Sequence, residues 1–288
     1  MALGFLYAVL TGLSWTVIGA VLSGGANNRF DLVAYSVIQT AATGVLALLF
    51  YARPSGAAAE GMLLPALAVF VAGAVNAIGQ LVVKTAMTRG NHGPVWAVSQ
   101  SALVIPFLAG VMFWGNPGTA GQWIGTALIT GGILIPAAGK FRDCRVWLGP
   151  AVAALLLFGV VQTLYALPSQ LAGGRDPGGL RPMLAAFGGT AGWLPVLLLR
   201  RKFSPDRRTL ILALGMSVLS LVSLKLFFLS LDRLARAGLG SVGIPLVVGC
   251  NIAGFFLYSL LVLRERPGRI EISGMLALLA GIAAIAIN

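Results

Sequence analysis

Leu263-Arg264-Glu265-Arg266-Pro267, followed by Gly274-Met275-Leu276-Ala277-Leu278-Leu279-Ala280-Gly281-Ile282, closes a pattern that this chain writes twice. Upstream of it runs Ile252-Ala253-Gly254-Phe255-Phe256, and the copy begins near Gly238. The earlier copy begins near Gly90 and passes through Ile105-Pro106-Phe107-Leu108-Ala109-Gly110. It continues through Asn116-Pro117-Gly118 to Gly125-Thr126-Ala127-Leu128-Ile129-Thr130-Gly131-Gly132-Ile133. Equivalent positions such as Gly125 and Gly274 stand 149 residues apart, with a slip of about two residues further upstream. If each copy belongs to a half with an odd number of membrane spans, the second half enters the bilayer upside down. An inverted repeat is an architecture for moving a solute between two sides.

The composition sets the surrounding medium. Of 288 residues, 58% are apolar and only 10% charged, with mean hydropathy +0.92. A soluble domain carries roughly 25% charged residues. Runs of about 20 apolar residues, the length of one crossing, recur from end to end. The N-terminus is apolar from Ala2 and carries no basic segment, so it reads as a retained first helix and not as a cleaved signal. The net charge of +12 does not read as a nucleic-acid surface, because the basic residues sit in short clusters between apolar runs. They read as headgroup anchors and topology signals. Cys144 and Cys250 lie far apart, and His92 is the single histidine, so neither a disulfide framework nor a metal site follows. No cofactor and no enzymatic activity is expected.

Ten spans are predicted: 2–24, 31–52, 62–88, 93–115, 119–139, 146–171, 180–200, 208–232, 238–263 and 269–287. The halves are 1–140 and 141–288, joined by Lys140-Phe141-Arg142-Asp143-Cys144-Arg145. Other breaks fall at Arg53-Pro54-Ser55-Gly56, at Gly173 to Gly179, and at the basic link Arg200 to Arg208. Short loops make consecutive helices antiparallel, and the need to satisfy every backbone group in lipid leaves only helices. The fold class is thus all-α integral membrane, ten transmembrane helices as two inverted five-helix repeats. Loops after odd-numbered spans hold 13 Lys and Arg against 5 after even-numbered ones. By the positive-inside rule both termini would lie outside the cytoplasm.

The membrane interior carries the functional information. The eight acidic residues, Asp31, Glu60, Asp143, Asp176, Asp206, Asp232, Glu265 and Glu271, all fall in loops or at span ends. That disfavours a carrier of cations, which needs a buried acid. Two lysines do fall within spans: Lys84 in a stripe with Asn76 and Gln80, and Lys225 after Ser217 and Ser220. Two readings stand for each. It snorkels to the headgroups, or it faces a cavity as counter-charge for an anionic or zwitterionic solute. Further polar stripes have helical spacing: Tyr7, Thr11 and Trp15; Tyr35, Gln39 and Thr43; Trp96, Ser99 and Gln100; Gln162, Tyr165 and Ser169; Asn251, Phe255 and Tyr258. In lipid these groups point inward, to hydrogen bonds between helices or to a cavity for a polar organic solute. Pro106 and Pro245 interrupt the fourth and ninth spans, as a hinge or binding site would require. Gly121 and Gly125 form a G-x-x-x-G pair, read as close helix packing within a monomer in preference to a homodimer contact. Gly238-Leu239-Gly240-Ser241-Val242-Gly243 matches a dinucleotide fingerprint, but a membrane helix and not a strand precedes it.

Ten spans in two such halves resemble the drug/metabolite transporter superfamily, in its EamA-like branch. Leu263 to Pro267 with the Gly274–Ile282 helix is similar to the family's acidic turn and Gly-rich last helix, and Ser14-Trp15 resembles its early Trp. Asn116 stands where the family often has Glu. The resemblance implies a basket with a central cavity lined by the first, third, fourth, sixth, eighth and ninth spans. The fifth and tenth would be peripheral, the termini cytoplasmic, and the Tyr35–Gln39–Thr43 stripe outside the lining set. The expectation is a secondary transporter in the cell inner membrane, moving a small polar metabolite by alternating access, with a lipid bilayer and a small-molecule substrate as its partners. Export of an amino-acid-like, zwitterionic or anionic solute leads. Uptake of a neutral sugar or nucleobase-type solute is second, and a non-transporting subunit or lipid-handling helper is the reading of another class. Trp15, Asn76, Gln80, Lys84, Trp96, Gln100, Gln162, Tyr165, Lys225, Asn251 and Tyr258 are the candidate binding residues.

Overall fold

The computed structural model describes residues 2–51, 63–113, 118–139, 145–171, 180–200, 203, 205–237 and 239–287. All regular structure among them is helical. The helices are α1 (Ala2–Ala26), α2 (Leu32–Phe50), α3 (Leu63–Met87), α4 (His92–Gln100), α5 (Val104–Phe113), α6 (Ala120–Gly139), α7 (Arg145–Leu171), α8 (Arg181–Arg200), α9 (Arg207–Arg236), α10 (Gly240–Leu261) and α11 (Arg269–Ile287). Eight segments among the described residues are long and apolar enough to cross a membrane, with α4 and α5 counted as one, His92–Phe113. The protein is an all-α, multi-pass membrane protein. Asn116, Pro117, the 140–144 junction with Asp143 and Cys144, Gly173 to Gly179 with Asp176, Gly238 and Glu60 lie outside the described residues.

Helix ends are set by short polar signals. Asp31 caps α2 by accepting from the Val33 and Ala34 N–H groups at 3.0 and 3.3 Å. Asp206 caps α9 through the Thr209 N–H at 2.9 Å. Both occupy orphan donors at a helix start. Asn28 and Arg264 take the left-handed conformation, with φ of 54° and 55°, just past α1 and α10. That turn at Arg264 sends the Glu265 carboxylate back over the start of α4. There it accepts from the His92 N–H at 2.7 Å and the Gly93 N–H at 3.0 Å.

The two proline sites differ. The fourth span is interrupted: α4 ends at Gln100, a 3₁₀ turn covers Ser101–Leu103, and α5 restarts at Val104. The break lies where Pro106 cannot donate to the preceding turn. α10, in contrast, runs unbroken through Pro245. Gly240 to Gly243 form the first turn of α10, and no strand precedes them among the described residues. The eighth span also differs from its prediction, since α9 continues to Arg236 and so carries Asp232 inside the helix.

Close glycine contacts fix the packing. A Cβ on Gly125 would meet the Gly281 carbonyl, and one on Gly132 would meet the Gly274 carbonyl, so α6 and α11 touch backbone to backbone. Gly125 thus serves packing within the chain. Gly73 lies against the Ala185 carbonyl and Gly188 against that of Phe70, which seats α3 on α8. Gly12 on α1 meets α10 at Val247 and Cys250, and Gly159 on α7 meets α5 at Ile105. Small residues let membrane helices approach this closely, and dispersion then holds them together.

Candidate functional site

Two ends of the bundle are defined by side-chain contacts. At the Asp31 end, α8 finishes beside the start of α2, with Arg200 Nη1 3.3 Å from Asp31 Oδ1. Ser23, late in α1, lies 2.7 Å from Nδ1 of His92 at the start of α4. Because Glu265 binds the backbone amides of α4 and not this imidazole, the three residues tie helix ends together and do not align as a proton relay. At the Asp232 end, α7, α8 and α9 meet in a buried cluster. Arg181 donates to Asp232 at 3.1 Å and to Ser169 at 3.0 Å, and the Ser169 hydroxyl donates to Asp232 at 2.8 Å. The Arg181 guanidinium also stands 5.6 Å from the centre of the Phe228 ring.

Asp232 lies in the last turns of α9, close to the span end where the sequence places it, yet it is buried there. It is 4% exposed and is held by a partner that the sequence places 51 residues away. A buried carboxylate persists only when paired and hydrogen-bonded, and Arg181 and Ser169 provide both.

Between these ends lies a cavity of about 150 Å³. It starts at Leu22 and Leu32 near the Asp31 end and reaches Tyr165 and Ala185. Beyond Tyr165 lies an aromatic layer. Tyr165 meets Phe227 and Phe228 edge-on, at centroid distances of 6.1 and 5.6 Å, and Trp15 meets Phe227 at 5.2 Å.

Eight of the eleven candidate residues line this cavity. Trp15 comes from α1, Asn76 and Gln80 from α3, and Trp96 and Gln100 from α4. Gln162 and Tyr165 come from α7, and Asn251 from α10. Three of the eight are joined in a chain: the Trp96 indole donates to Asn251 Oδ1 at 3.2 Å, and Asn251 Nδ2 donates to Gln100 Oε1 at 3.3 Å. This pins two carboxamides in fixed directions.

Lys84, Lys225 and Tyr258 are not among the lining residues. Lys84 is half-buried near the end of α3, where Arg200 and Asp31 act on it electrostatically. Lys225 places its ammonium 5.0 Å from the centre of the Tyr51 ring, at the finish of α2. Both lysines therefore reach toward helix ends, as their long stems allow. Tyr258 packs against Phe255 with its ring tilted by 45° at a centroid distance of 5.5 Å.

The stripe set aside on α2 belongs to the cavity after all. Tyr35, Gln39 and Thr43 line it, with Thr40 between them. α8 adds a smooth wall of Ala185, Ala186 and Gly189, and α9 adds Ser220, Ser223 and Leu224. Periodicity could not have found the α8 wall, because small apolar residues carry no polar signal. The lining thus extends over the second and seventh spans as well as the six expected. α6 and α11 contribute nothing to it among the described residues.

The electrostatic character is plain: among the described residues, none of the side chains lining the cavity is charged. Two of its polar atoms, Gln162 Oε1 and Ser223 Oγ, are fully buried without a hydrogen-bond partner among the described residues.

No protein-family model matches the chain, and no curated protein matches it in sequence. Similarity appears in three dimensions. A solved chain described only as "Crystal structure of protein" superposes with a TM-score of 0.61 over 99% of this chain and 97% of its own, at 13% identity. At that identity the two share a fold.

Proposed function

We propose that this protein is a secondary transporter of a small, uncharged, polar organic solute, working by alternating access in the cell inner membrane. The observation that carries the reading is the cavity, walled by carboxamides and aromatic rings and free of charged side chains among the described residues. Such a site can hydrogen-bond a neutral solute and cover its apolar face. It gives a zwitterion or anion no counter-charge, since Lys84 and Lys225 lie elsewhere. The neutral-solute reading therefore moves ahead of the amino-acid one.

Alternating access needs two halves that exchange roles, and the contacts support ten spans in two inverted repeats. Gly125 and Gly274 are equivalent in the doubled pattern, as are Gly132 and Gly281. The observed contacts are Gly125 with Gly281 and Gly132 with Gly274, and exchange of the halves turns each into the other. Thr40 and Thr190, equivalent within one residue, hydrogen-bond to each other at 3.0 Å, as residues beside an exchange axis between α2 and α8 would. Gly12 with α10 has its counterpart in Gly159 with α5. A site on such an axis is what an inverted-repeat carrier uses. The aromatic layer Tyr165–Phe227–Phe228 lies at one end of the cavity, where a barrier between two access states would be needed.

The test is counterflow in proteoliposomes loaded with pooled neutral metabolites. Exchange of a neutral solute, but not of amino acids, is expected. Absence of exchange with every pool would sink the transporter reading and leave the non-transporting subunit.

A further inference from the structure

We infer that Gln162 and Ser223 are the recognition point for an uncharged cyclic amide, a lactam or nucleobase-type ring, whose N–H and C=O edge faces Gln162. This rests on the transporter reading above and names the substrate class of the same site.

The starting point is an energetic anomaly. Leaving a buried polar group unmade costs about 1–3 kcal/mol. Gln162 is 3% exposed and Ser223 1% exposed, yet Gln162 Oε1 and Ser223 Oγ find no partner among the described residues. Both line the cavity. Some of the other lining groups have found partners: Gln39 donates to Thr43 at 3.1 Å, and Trp96, Asn251 and Gln100 bind one another. The two orphans differ from these in being fully buried as well as unmet, so a ligand atom would relieve the largest cost there.

Their placement defines the ligand's shape. On α7, Gln162 stands one turn before Tyr165, and on α9, Ser223 stands one turn before Phe227. Tyr165 and Phe227 pack together, so the two orphans lie on the helix faces that converge above that aromatic layer. Trp15 packs on the same layer, and Ala185, Ala186 and Gly189 add a lining of small side chains without polar atoms. A thin solute with two apolar faces and one polar edge fits between them.

The chemistry of a carboxamide selects the edge. A carboxamide offers one acceptor and one donor side by side. The complementary partner is a second cis-amide, which returns a donor and an acceptor in two parallel hydrogen bonds. The match holds whichever way the Gln162 amide is turned, because a lactam carries both functions. A pyranose offers hydroxyls around its whole rim and would oppose them to the aromatic layer and the alanine wall. A zwitterion would bring charges that nothing in the lining balances.

Binding to the purified protein separates this from the bland reading. The probes are uracil, N,N′-dimethyluracil, D-galactose and L-alanine, followed by thermal shift and calorimetry. Uracil is expected to bind, and the dimethyl ring, without its N–H groups, to bind at least about tenfold more weakly, since a site built for a hydrogen bond rejects the analogue that lacks it. Gln162→Met and Ser223→Ala should each weaken uracil about tenfold or more while leaving the ligand-free protein as stable as wild type or more so, because each removes an orphan. A packing role predicts the opposite: lower stability and unchanged binding. The inference is overturned if the dimethyl ring binds like uracil, if both variants keep wild-type affinity, or if galactose or alanine binds and uracil does not. Counterflow of some other metabolite without uracil binding would overturn the inference and leave the transporter reading intact. Uracil binding without any counterflow would do the reverse.

Discussion

Helix α8 carries an arginine at each end, and the two make their ion pairs in different media. Arg181, at the start, holds Asp232 at 3.1 Å with side chains 1% and 6% exposed. Arg200, at the finish, holds Asp31 at 3.3 Å with side chains 44% and 36% exposed. The chemistry is the same and the surroundings are not. At the dry end the protein itself solvates the charges, through the Ser169 hydroxyl and the Phe228 ring face. At the wet end solvent or headgroups share that task. The cavity shows the same polarity, since its lining reaches Leu22 and Leu32 at the Asp31 end and stops at the aromatic layer short of Asp232.

The largest effect should come from breaking the dry pair on one side only. Arg181→Met leaves a carboxylate buried without its counter-charge, and Asp232→Leu leaves a guanidinium in the same position. Each is expected to cost about 3–5 kcal/mol. The double variant should recover most of that loss, because removing both partners also removes the desolvation of both ions. Chemical unfolding in detergent, arranged as a double-mutant cycle, reads both numbers. If each single variant costs under about 1 kcal/mol, water reaches the pair and the contrast between the ends collapses.

The second effect tests what keeps that end dry. The first half of α8 lies directly on α3, with Gly188 against the Phe70 carbonyl and Gly73 against that of Ala185. Gly188→Val would push the helices apart and is expected to cost about 1–3 kcal/mol. Gly215, on α9, has open space where a Cβ would stand. Gly215→Ala should therefore be neutral or stabilising by up to about 1 kcal/mol. Combining Gly188→Val with Arg181→Met sharpens the comparison. If α8 has already lifted and admitted water, the loss of Arg181 costs less than it does alone.

The comparison also explains what the sequence could disclose. The membrane class and the amide and aromatic stripes were legible, because a polar group in lipid has to face protein and helical periodicity shows which face that is. Trp96, Gln100 and Asn251 were found this way, and they meet. Periodicity gives a direction and not a partner, so Lys84 and Lys225 looked as eligible as Gln162. Only the packing shows that they turn to helix ends. Asp232 was read at a span end because a hydropathy run stops where charges begin. α9 continues past it because Arg181, distant in sequence, supplies what water otherwise would. The α2 stripe was set aside on a family's habit, although its spacing was as good as that of the others.

The smallest effect belongs to the wet pair, and it divides unequally between its partners. Arg200→Ala removes an exposed guanidinium from a pair screened by solvent and salt, worth about 0.2–1 kcal/mol. Asp31→Ala removes the same ion pair and also the cap of α2, where the carboxylate accepts from the Val33 and Ala34 N–H groups. Losing such a cap adds about 1 kcal/mol. Asp31→Asn should fall between them, since an amide oxygen still caps the helix. Salt separates the contributions. Raising ionic strength should shrink the Arg200→Ala penalty toward zero, leave most of the Asp31→Ala penalty in place, and barely change either variant at the dry end. Unfolding of these five variants at low and high salt reads all of this in one series. An Arg200→Ala penalty as large as that of Arg181→Met, and equally indifferent to salt, would mean that the two ends of α8 share one medium.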